Sequence, residues 1–378
     1  MRRLKLIYII SDIDKALPFE WLSLRLMVDF NLSFILIGKR DPQLRTFLVA
    51  HNIPTVIISD DEFPSHWSKT ARMFKILQKE RPDIIHTHLW RANLIAQPVA
   101  WILRIKERIF TRHHAVIHYT EHPSGRKWDR LVNFLATQII AISQNVKEIL
   151  VTFDKADPGK ITIIRHGFDL KYFSDVPQER IEDVKRRLRI PVNAYPIIGI
   201  ISRYLQWKGV HHGIDAFAAL LKNFPNAHLV LANTQGNFAK EIQKHLGKLP
   251  SKSYTEVFYE HDVAALYHIF NVYVHVPLDR RVEAFGQTYV EALASGIPSV
   301  FTMSGVAPEF IVEGQNAVRA EFESSESIKI CIEQLLKDAN LREKLSKNGI
   351  SSVQAFSLDK MLSELKKVYV TPKALGHA

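Results

Sequence analysis

An α/β protein made of two similar halves is what this sequence predicts, and three observations carry that reading. Short β-branched runs alternate with helix-length segments through the first half, the pattern of parallel strands joined by right-handed crossovers. The second half repeats the plan. A chain of 378 residues also suits two domains of ordinary size, each burying its own core. Two Rossmann-like halves lead one to expect ligand binding beyond the carboxyl ends of the strands.

Taken in order, the first-half strands are expected at 4–10, 33–38, 54–58, 83–88, 108–111, 138–142 and 161–164, with helices at 17–28, 68–79 and 94–105 among the connections. Second-half strands are expected at 196–201, 228–231, 256–258, 271–276 and 299–302. The boundary falls after Arg165-His166-Gly167-Phe168-Asp169, ahead of the charged run 179–189. There is no repeat of solenoid period and no low-complexity segment.

Composition narrows the class. Hydrophobic residues at 47% and charged residues at 24% are those of a soluble globular protein, and no apolar run has the length of a membrane span. The opening MRRLKLIYIISDID starts like a leader, but Asp12 and Asp14 close its short apolar run, so it reads as a first strand. The single cysteine, Cys331, excludes an internal disulfide and fits a reducing, cytoplasmic setting. Its ordinary reading is apolar filler on a helix.

The net charge of +11 is unevenly spread. Residues 1–165 hold 25 Lys+Arg against 16 Asp+Glu, and residues 166–378 hold 25 against 23. A basic first half fits an anionic membrane or an acidic acceptor; nucleic acid is not expected, since no recognisable nucleic-acid motif or Arg-rich tail is present. Residues 66–81 (HWSKTARMFKILQKER) are expected to be helical, with Trp67, Thr70, Phe74 and Leu77 along one side and Lys69, Arg72, Lys75 and Lys79 on others. That pattern suits a peripheral membrane helix, or equally a helix packed on the sheet with its lysines in water.

The most informative stretch is 277–302, PLDRRVEAFGQTYVEALASGIPSVFT. A helix is expected from about Gln287 to Ser295, stopped by Gly296 and kept stopped by Pro298. The preceding loop delivers the backbone N–H groups of Phe285, Gly286 and Gln287 to a helix N-terminus, where an anion is favoured. Glu291 lies a little over one turn in, within reach of ribose hydroxyls, and Glu283 stands before the helix to accept hydrogen bonds from a sugar. The combination is a site for a sugar joined to a nucleotide through a diphosphate. Two surface glutamates on an amphipathic segment are the plain alternative.

Glu283 and Glu291 have the E-x7-E spacing of retaining GT-B glycosyltransferases, and EAFGQTYVEALASGIPSV resembles the most diagnostic block of glycosyltransferase family 4. The resemblance covers nearly the whole chain, strongly in 196–320 and weakly in 1–60. It implies a GT-B fold of two Rossmann-like domains facing across a cleft. Residues 1–168 would be the acceptor domain, 169–355 the nucleotide-sugar donor domain, and 356–378 a helix crossing back to the first domain. It further implies a retaining transfer from a UDP or GDP sugar to a glycan or lipid-linked glycan, with no cofactor and no metal. Arg203 and Lys208, in 196–209 (PIIGIISRYLQWKG), stand where similar enzymes hold the donor diphosphate; Gly305 stands where the family brings backbone amides to the donor. His113, in Thr111-Arg112-His113-His114, matches the histidine placed beside the reacting sugar, although an Asp often follows where this chain has His114.

Other positions depart from the family. The turn after the first strand, Ser11-Asp12-Ile13-Asp14, has no glycine, and Ala232-Asn233-Thr234-Gln235-Gly236 replaces a Gly-x-Gly, which leaves the geometry of both loops open. Asp12 and Asp14 form a D-x-D pair, a metal-binding pattern in the other main glycosyltransferase fold, but a position directly after the first strand argues against that role. His86 and His88 end a strand and point to one side of it, as cleft lining, core or a possible zinc pair. A sugar phosphorylase on the same fold and a silent nucleotide-sugar-binding subunit are the alternatives in function.

Overall fold

The computed structural model describes residues 2–120 and 122–370. The chain divides into two compact units, residues up to Phe168 together with those from Leu358 onward, and Asp169–Ser357. In unit 1, seven strands form one parallel sheet: β1 (Lys5–Ser11), β2 (Asn31–Gly38), β3 (Thr55–Ser59), β4 (Ile84–His88), β5 (Glu107–Arg112), β6 (Gln138–Ala141) and β7 (Ile161–Ile163). Their order is β3-β2-β1-β4-β5-β6-β7, so the winding reverses between β1 and β4. Side chains along β1 alternate between two cores, as a strand covered on both faces requires. Leu6, Tyr8 and Ile10 face Leu22, Leu26 and Leu365. Ile7 and Ile9 face Met73, Leu77, Ile95 and Val99.

Unit 2 repeats the arrangement with β8 (Ile197–Ile201), β9 (His228–Ala232), β10 (Tyr254–Val257), β11 (Val272–His275), β12 (Ser299–Phe301) and β13 (Val318–Arg319). Their order is β10-β9-β8-β11-β12-β13, all parallel, with the winding reversed between β8 and β11. Every strand expected from the sequence is present. The two-residue strand β13 was beyond the reach of any periodicity. The helix expected at 94–105 starts at Trp90 and ends at Ile102, because the strand-to-helix connection after β4 is the single residue Leu89 at φ 69°.

Two helices differ from expectation for a physical reason. The helix Gly125–Leu135 was not anticipated, since large apolar residues lie on its outward as well as its inward side and blur the pattern. The helix His66–Glu80 does not carry an apolar membrane face. Leu77 is buried with Met73 and Ile76, Phe74 packs partly against the same core, and Lys69 turns inward to the Phe63 carbonyl and Asp60. Only Trp67 of its expected apolar side is fully outward, at 83% exposure.

The helix Leu358–Val370 packs against the helix Leu17–Asp29 of unit 1. Its Tyr369 hydroxyl lies 2.5 Å from the Tyr8 hydroxyl and 2.6 Å from His86 Nδ1, all three groups buried. Leaving such groups without a partner costs free energy. Tyr369→Phe is therefore expected to lower the unfolding free energy by about 1–2 kcal/mol in urea melts, with the far-UV spectrum unchanged.

Candidate active site

The reversal of winding between β8 and β11 opens the sheet of unit 2 where two loops leave neighbouring strands. The loop after β8 carries Ser202, Arg203 and the short turn Gln206–Lys208. The loop after β11 carries 277–286, including Glu283. Leu278 N–H donates to the Trp207 carbonyl at 3.0 Å, and Gly209, at φ 69°, lies so close to Val276 that a Cβ would fall 2.0 Å from its carbonyl oxygen. The two loops are thus joined by backbone contact, and only glycine fits at 209.

Lys208 Nζ pairs directly with Glu283 Oε1, and His275 Nε2 lies 3.2 Å from the same oxygen without the alignment of a hydrogen bond. Glu283 is only 5% exposed. Burial alone would raise its pKa, but Lys208 and His275 more than reverse that and hold it down at about 2. The result is a permanently ionised carboxylate in a dry place, fixed by a lysine. Lys208 Nζ also sits 4.6 Å from the Trp207 ring centroid, which restricts the side chain further. Arg203, on the same loop, is exposed.

The helix Gln287–Ala294 begins at Gly286, which has φ 85° and whose Cβ would strike the Tyr289 ring at 2.4 Å. Phe285 is buried, with its carbonyl accepting from Val306 N–H at 3.0 Å. Gly305 N–H is given to the Arg280 carbonyl at 3.1 Å. The amides of Gly305 and Val306 are therefore spent on holding the 280–286 loop, and the expectation that Gly305 brings its amide to a donor is corrected. Gly305 instead lets the chain pass, since its Cβ would stand 2.8 Å from that of Glu283.

Glu291 is half-buried and accepts from the Tyr267 hydroxyl at 2.8 Å. Burial raises its pKa to about 7, the Tyr267 bond opposing this only in part. The segment Val257 to Tyr267 resembles the family's base-contacting stretch, but no local pattern singled out the Tyr267 hydroxyl or His275, because each reaches the site from a different element and neither lies in the E-x7-E block. The doubtful loops prove regular. Asn233 holds φ 65° and Asp12 holds φ 57°, the left-handed backbone a glycine would give, and Asn and Asp are the residues that accept it at least cost.

In unit 1 the strand ends gather histidines. His86 is core, bonded to Tyr369 and, through Nε2, to Thr111 Oγ1 at 2.8 Å. His88 Nδ1 lies 3.0 Å from His113 Nε2, and His113 stacks on His166 at 5.5 Å between ring centroids. Burial lowers all four pKa values, His86 to about 3 and His166 to about 4, so these rings are neutral at pH 7. Two neutral imidazoles sharing one hydrogen bond take opposite roles, so the tautomer of His88 sets that of His113.

Beside them, Arg112, at 2% exposure, bridges Asp129 Oδ2 at 2.9 Å and Asp154 Oδ2 at 3.0 Å. His118 Nδ1 meets the same Asp129 oxygen at 2.6 Å and His114 Nε2 at 3.4 Å. His114, His118 and Asp129 are the group among the described residues whose ligand atoms converge enough for a metal, all within 4.8 Å. The Arg112 guanidinium already occupies their shared oxygen, which makes the group a buried ion network. Asp12 and Asp14 do not act together: Asp12 pairs with Arg91 at 2.6 Å, and Asp14 accepts from Gln43 N–H at 3.2 Å.

Two Rossmann-like units in one chain are the architecture of the GT-B class, and solved structures share it. Anabaena HepE in complex with UDP and glucose superposes with a TM-score of 0.83 at 19% identity, over 96% of this chain and 99% of that one. A glycosyltransferase from Rickettsia africae gives 0.77 at 20% identity, over 98% of each chain. The sequence matches the model for Glycosyltransferase Family 4 over residues 34–172 and that for Glycosyl transferases group 1 over residues 182–352. The chain is similar to the capsular polysaccharide biosynthesis glycosyltransferase CapM of Staphylococcus aureus, 25% identical over 385 residues and 98% of each chain. It is also similar to a D-inositol 3-phosphate glycosyltransferase of Corynebacterium aurimucosum, 23% identical over 76% of this chain and 71% of that one. The protein is a family 4-like glycosyltransferase of the GT-B fold.

The raised pKa of Glu291 has a sign that can be measured. The native state holds this proton more tightly than the unfolded chain, so stability is untouched below the ordinary value of 4.5, falls as pH rises toward 7, and stays lowered above it. Glu291→Gln keeps an acceptor for Tyr267 and removes the charge. It is expected to raise the unfolding free energy by about 1–3 kcal/mol near pH 8 and to leave it unchanged near pH 4.

Proposed function

We propose that the protein transfers a sugar, with retention at the anomeric carbon, from a nucleoside-diphosphate sugar to a glycan or lipid-linked glycan acceptor. The observation that carries this reading is the Lys208–Glu283 pair at the switch point of unit 2, with Glu291 on the helix that follows. Glu283 is ionised and positioned, so it accepts hydrogen bonds from sugar hydroxyls that sharpen as positive charge develops on the ring. Lys208 and Arg203 neutralise the diphosphate as the bond from C1 to its oxygen breaks. The N-terminus of the helix Gln287–Ala294 adds its dipole at the phosphates. Glu291, oriented by the Tyr267 hydroxyl that donates to it, offers its other carboxyl oxygen as acceptor to the ribose.

The acceptor hydroxyl approaches on the face the leaving group departs from. Its oxygen bonds to C1, and its proton passes to a phosphate oxygen of the departing nucleotide. No side-chain base and no metal are needed for that balance. His113, a neutral imidazole held by His88, offers a hydrogen bond to the reacting sugar. UDP is the favoured nucleotide, supported by the HepE complexes with UDP and UDP-glucose, and capsule-type polysaccharide assembly is the favoured setting, supported by the likeness to CapM.

Thermal shift against UDP, GDP and ADP and their sugars tests donor binding first, because a ligand stabilises with the logarithm of its saturation. UDP is expected to raise the melting temperature most. In transfer assays Glu283→Ala is expected to lower kcat steeply and Glu291→Ala mainly to raise the donor KM. Arg203→Ala is expected to cost about 10²-fold in kcat. EDTA is expected to leave the rate unchanged. Full turnover by Glu283→Ala at saturating donor would overturn the assignment.

A further inference from the structure

Lys208 Nζ and Glu283 Oε1 are in direct contact, so each group is held by the other. The proposed transfer needs both of them for substrate at once, Lys208 for the diphosphate and Glu283 for the sugar hydroxyls. The phosphates carry more charge than one carboxylate, so the ammonium on its flexible stem is drawn toward them. Glu283 is then a buried carboxylate whose matching cation has turned away, an arrangement that a dry site tolerates poorly. Another group already in place must answer that charge.

His275 ends β11 and is 2% exposed. Its Nε2 stands 3.2 Å from Glu283 Oε1, the oxygen that Lys208 holds, and has no hydrogen-bond partner among the described residues. A buried nitrogen left without a partner is uncommon and calls for a reason. Here the distance is near that of a bond and only the alignment is lacking. The nitrogen also lies by the start of the following helix, since a Cβ on Gly286 would stand 3.7 Å from it. The charges acting on His275 are Glu283, from the loop after β11, and Lys208, from the loop after β8. On the helix its titratable neighbour is Tyr289, which meets the imidazole edge to face at 4.7 Å and gives its hydroxyl to the Thr302 carbonyl at 3.0 Å. Burial holds the His275 pKa below its ordinary value; Glu283 opposes that and Lys208 adds to it. Moving Lys208 away removes a downward cause and leaves the upward one in place.

We propose that His275 takes over Glu283 when Lys208 turns to the donor diphosphate. The imidazole gains one proton from solvent, and its Nε2–H donates to Glu283 Oε1 in place of the ammonium. The positive charge that leaves the carboxylate with Lys208 is thereby replaced, and Glu283 stays ionised and fixed while it faces the sugar. His275 is a positioning residue that acts through Glu283, and donor binding and proton uptake become one event. The exchange rests on the proposed donor site.

Lys208→Met removes the cation without any donor and keeps the apolar stem. In protein labelled at the histidine ring carbons, the His275 signal is assigned by its loss in Lys208→Met with His275→Gln. In Lys208→Met it is expected to titrate at least about one pH unit above its position in the wild type. Calorimetry of UDP-glucose binding near pH 7, in buffers of different ionisation enthalpy, reads the proton directly. The wild type is expected to take up about half a proton or more beyond the uptake by His275→Gln. UDP-glucose is the probe because its diphosphate does not titrate in that range, and any contribution from Glu291 is common to both proteins. An unshifted His275 signal in Lys208→Met would overturn the proposal, as would equal uptake by wild type and His275→Gln. So would a Lys208→Met protein that unfolds where Lys208→Met with Glu283→Gln stays folded, since His275 would then fail to support the carboxylate. UDP-glucose that does not bind, with the His275 signal still shifted, would reject the donor reading and uphold the exchange.

Discussion

A lysine and a glutamate taken out of water together, Lys208 and Glu283, constrain most of what surrounds them in unit 2. Neither group is tolerable there alone, because an unpaired buried charge costs several kcal/mol, of order 3–5 when one partner of such a pair is removed. The fold meets the condition by placing their loops on adjacent strands, β8 and β11, at the one place where the winding reverses. Gly209 then allows the first loop to touch the second, and Gly305 allows a third segment to close over Glu283. Function and stability pull the same way at this point. The pair that keeps Glu283 ionised is also the pair that holds it in place.

Unit 1 solves the opposite problem. Its strand ends hold His86, His88, His113 and His166 close together, and burial keeps them uncharged. Four imidazolium ions in that space would repel one another, whereas neutral rings stack and share hydrogen bonds. The charges that unit 1 does bury are grouped separately, Arg112 with Asp129 and Asp154, with each carboxylate bonded to further donors from Tyr119 or His118. Polar order near the strand ends is thus split between a neutral cluster and a compensated ionic one. Outside both, the same unit presents tryptophans and cations on its helical layer, so one domain combines a polar strand-end region with an apolar, basic flank.

Much of this was legible in the sequence. Short β-branched runs separated by helix-length segments located the long strands, since a parallel strand buried on both faces must be apolar throughout. The spacing of Glu283 and Glu291 about Phe285-Gly286, with the breakers Gly296 and Pro298, marked the helix and the acids, because backbone geometry there depends on neighbours along the chain. Arg203 and Lys208 were placed on the loop they occupy for the same reason.

What tertiary structure alone decided depends on contacts between distant segments. The Lys208–Glu283 pair joins residues 75 apart, Tyr369 reaches His86 across 283, and Tyr267 meets Glu291 from another helix, none of which leaves a local pattern. Whether Gly305 offers its amide or spends it on Arg280 depends likewise on where a second loop lies. The helices His66–Glu80 and Gly125–Leu135 show the limit most plainly. Both mix aromatics with lysine and arginine, and sequence cannot tell which apolar side a neighbour will cover. Packing covered Leu77 and Met73 in the first and left Trp128 and Phe134 bare in the second. The sequence by itself determined where apolar and charged groups lie along each element; only the assembled sheet determined which of them water still reaches.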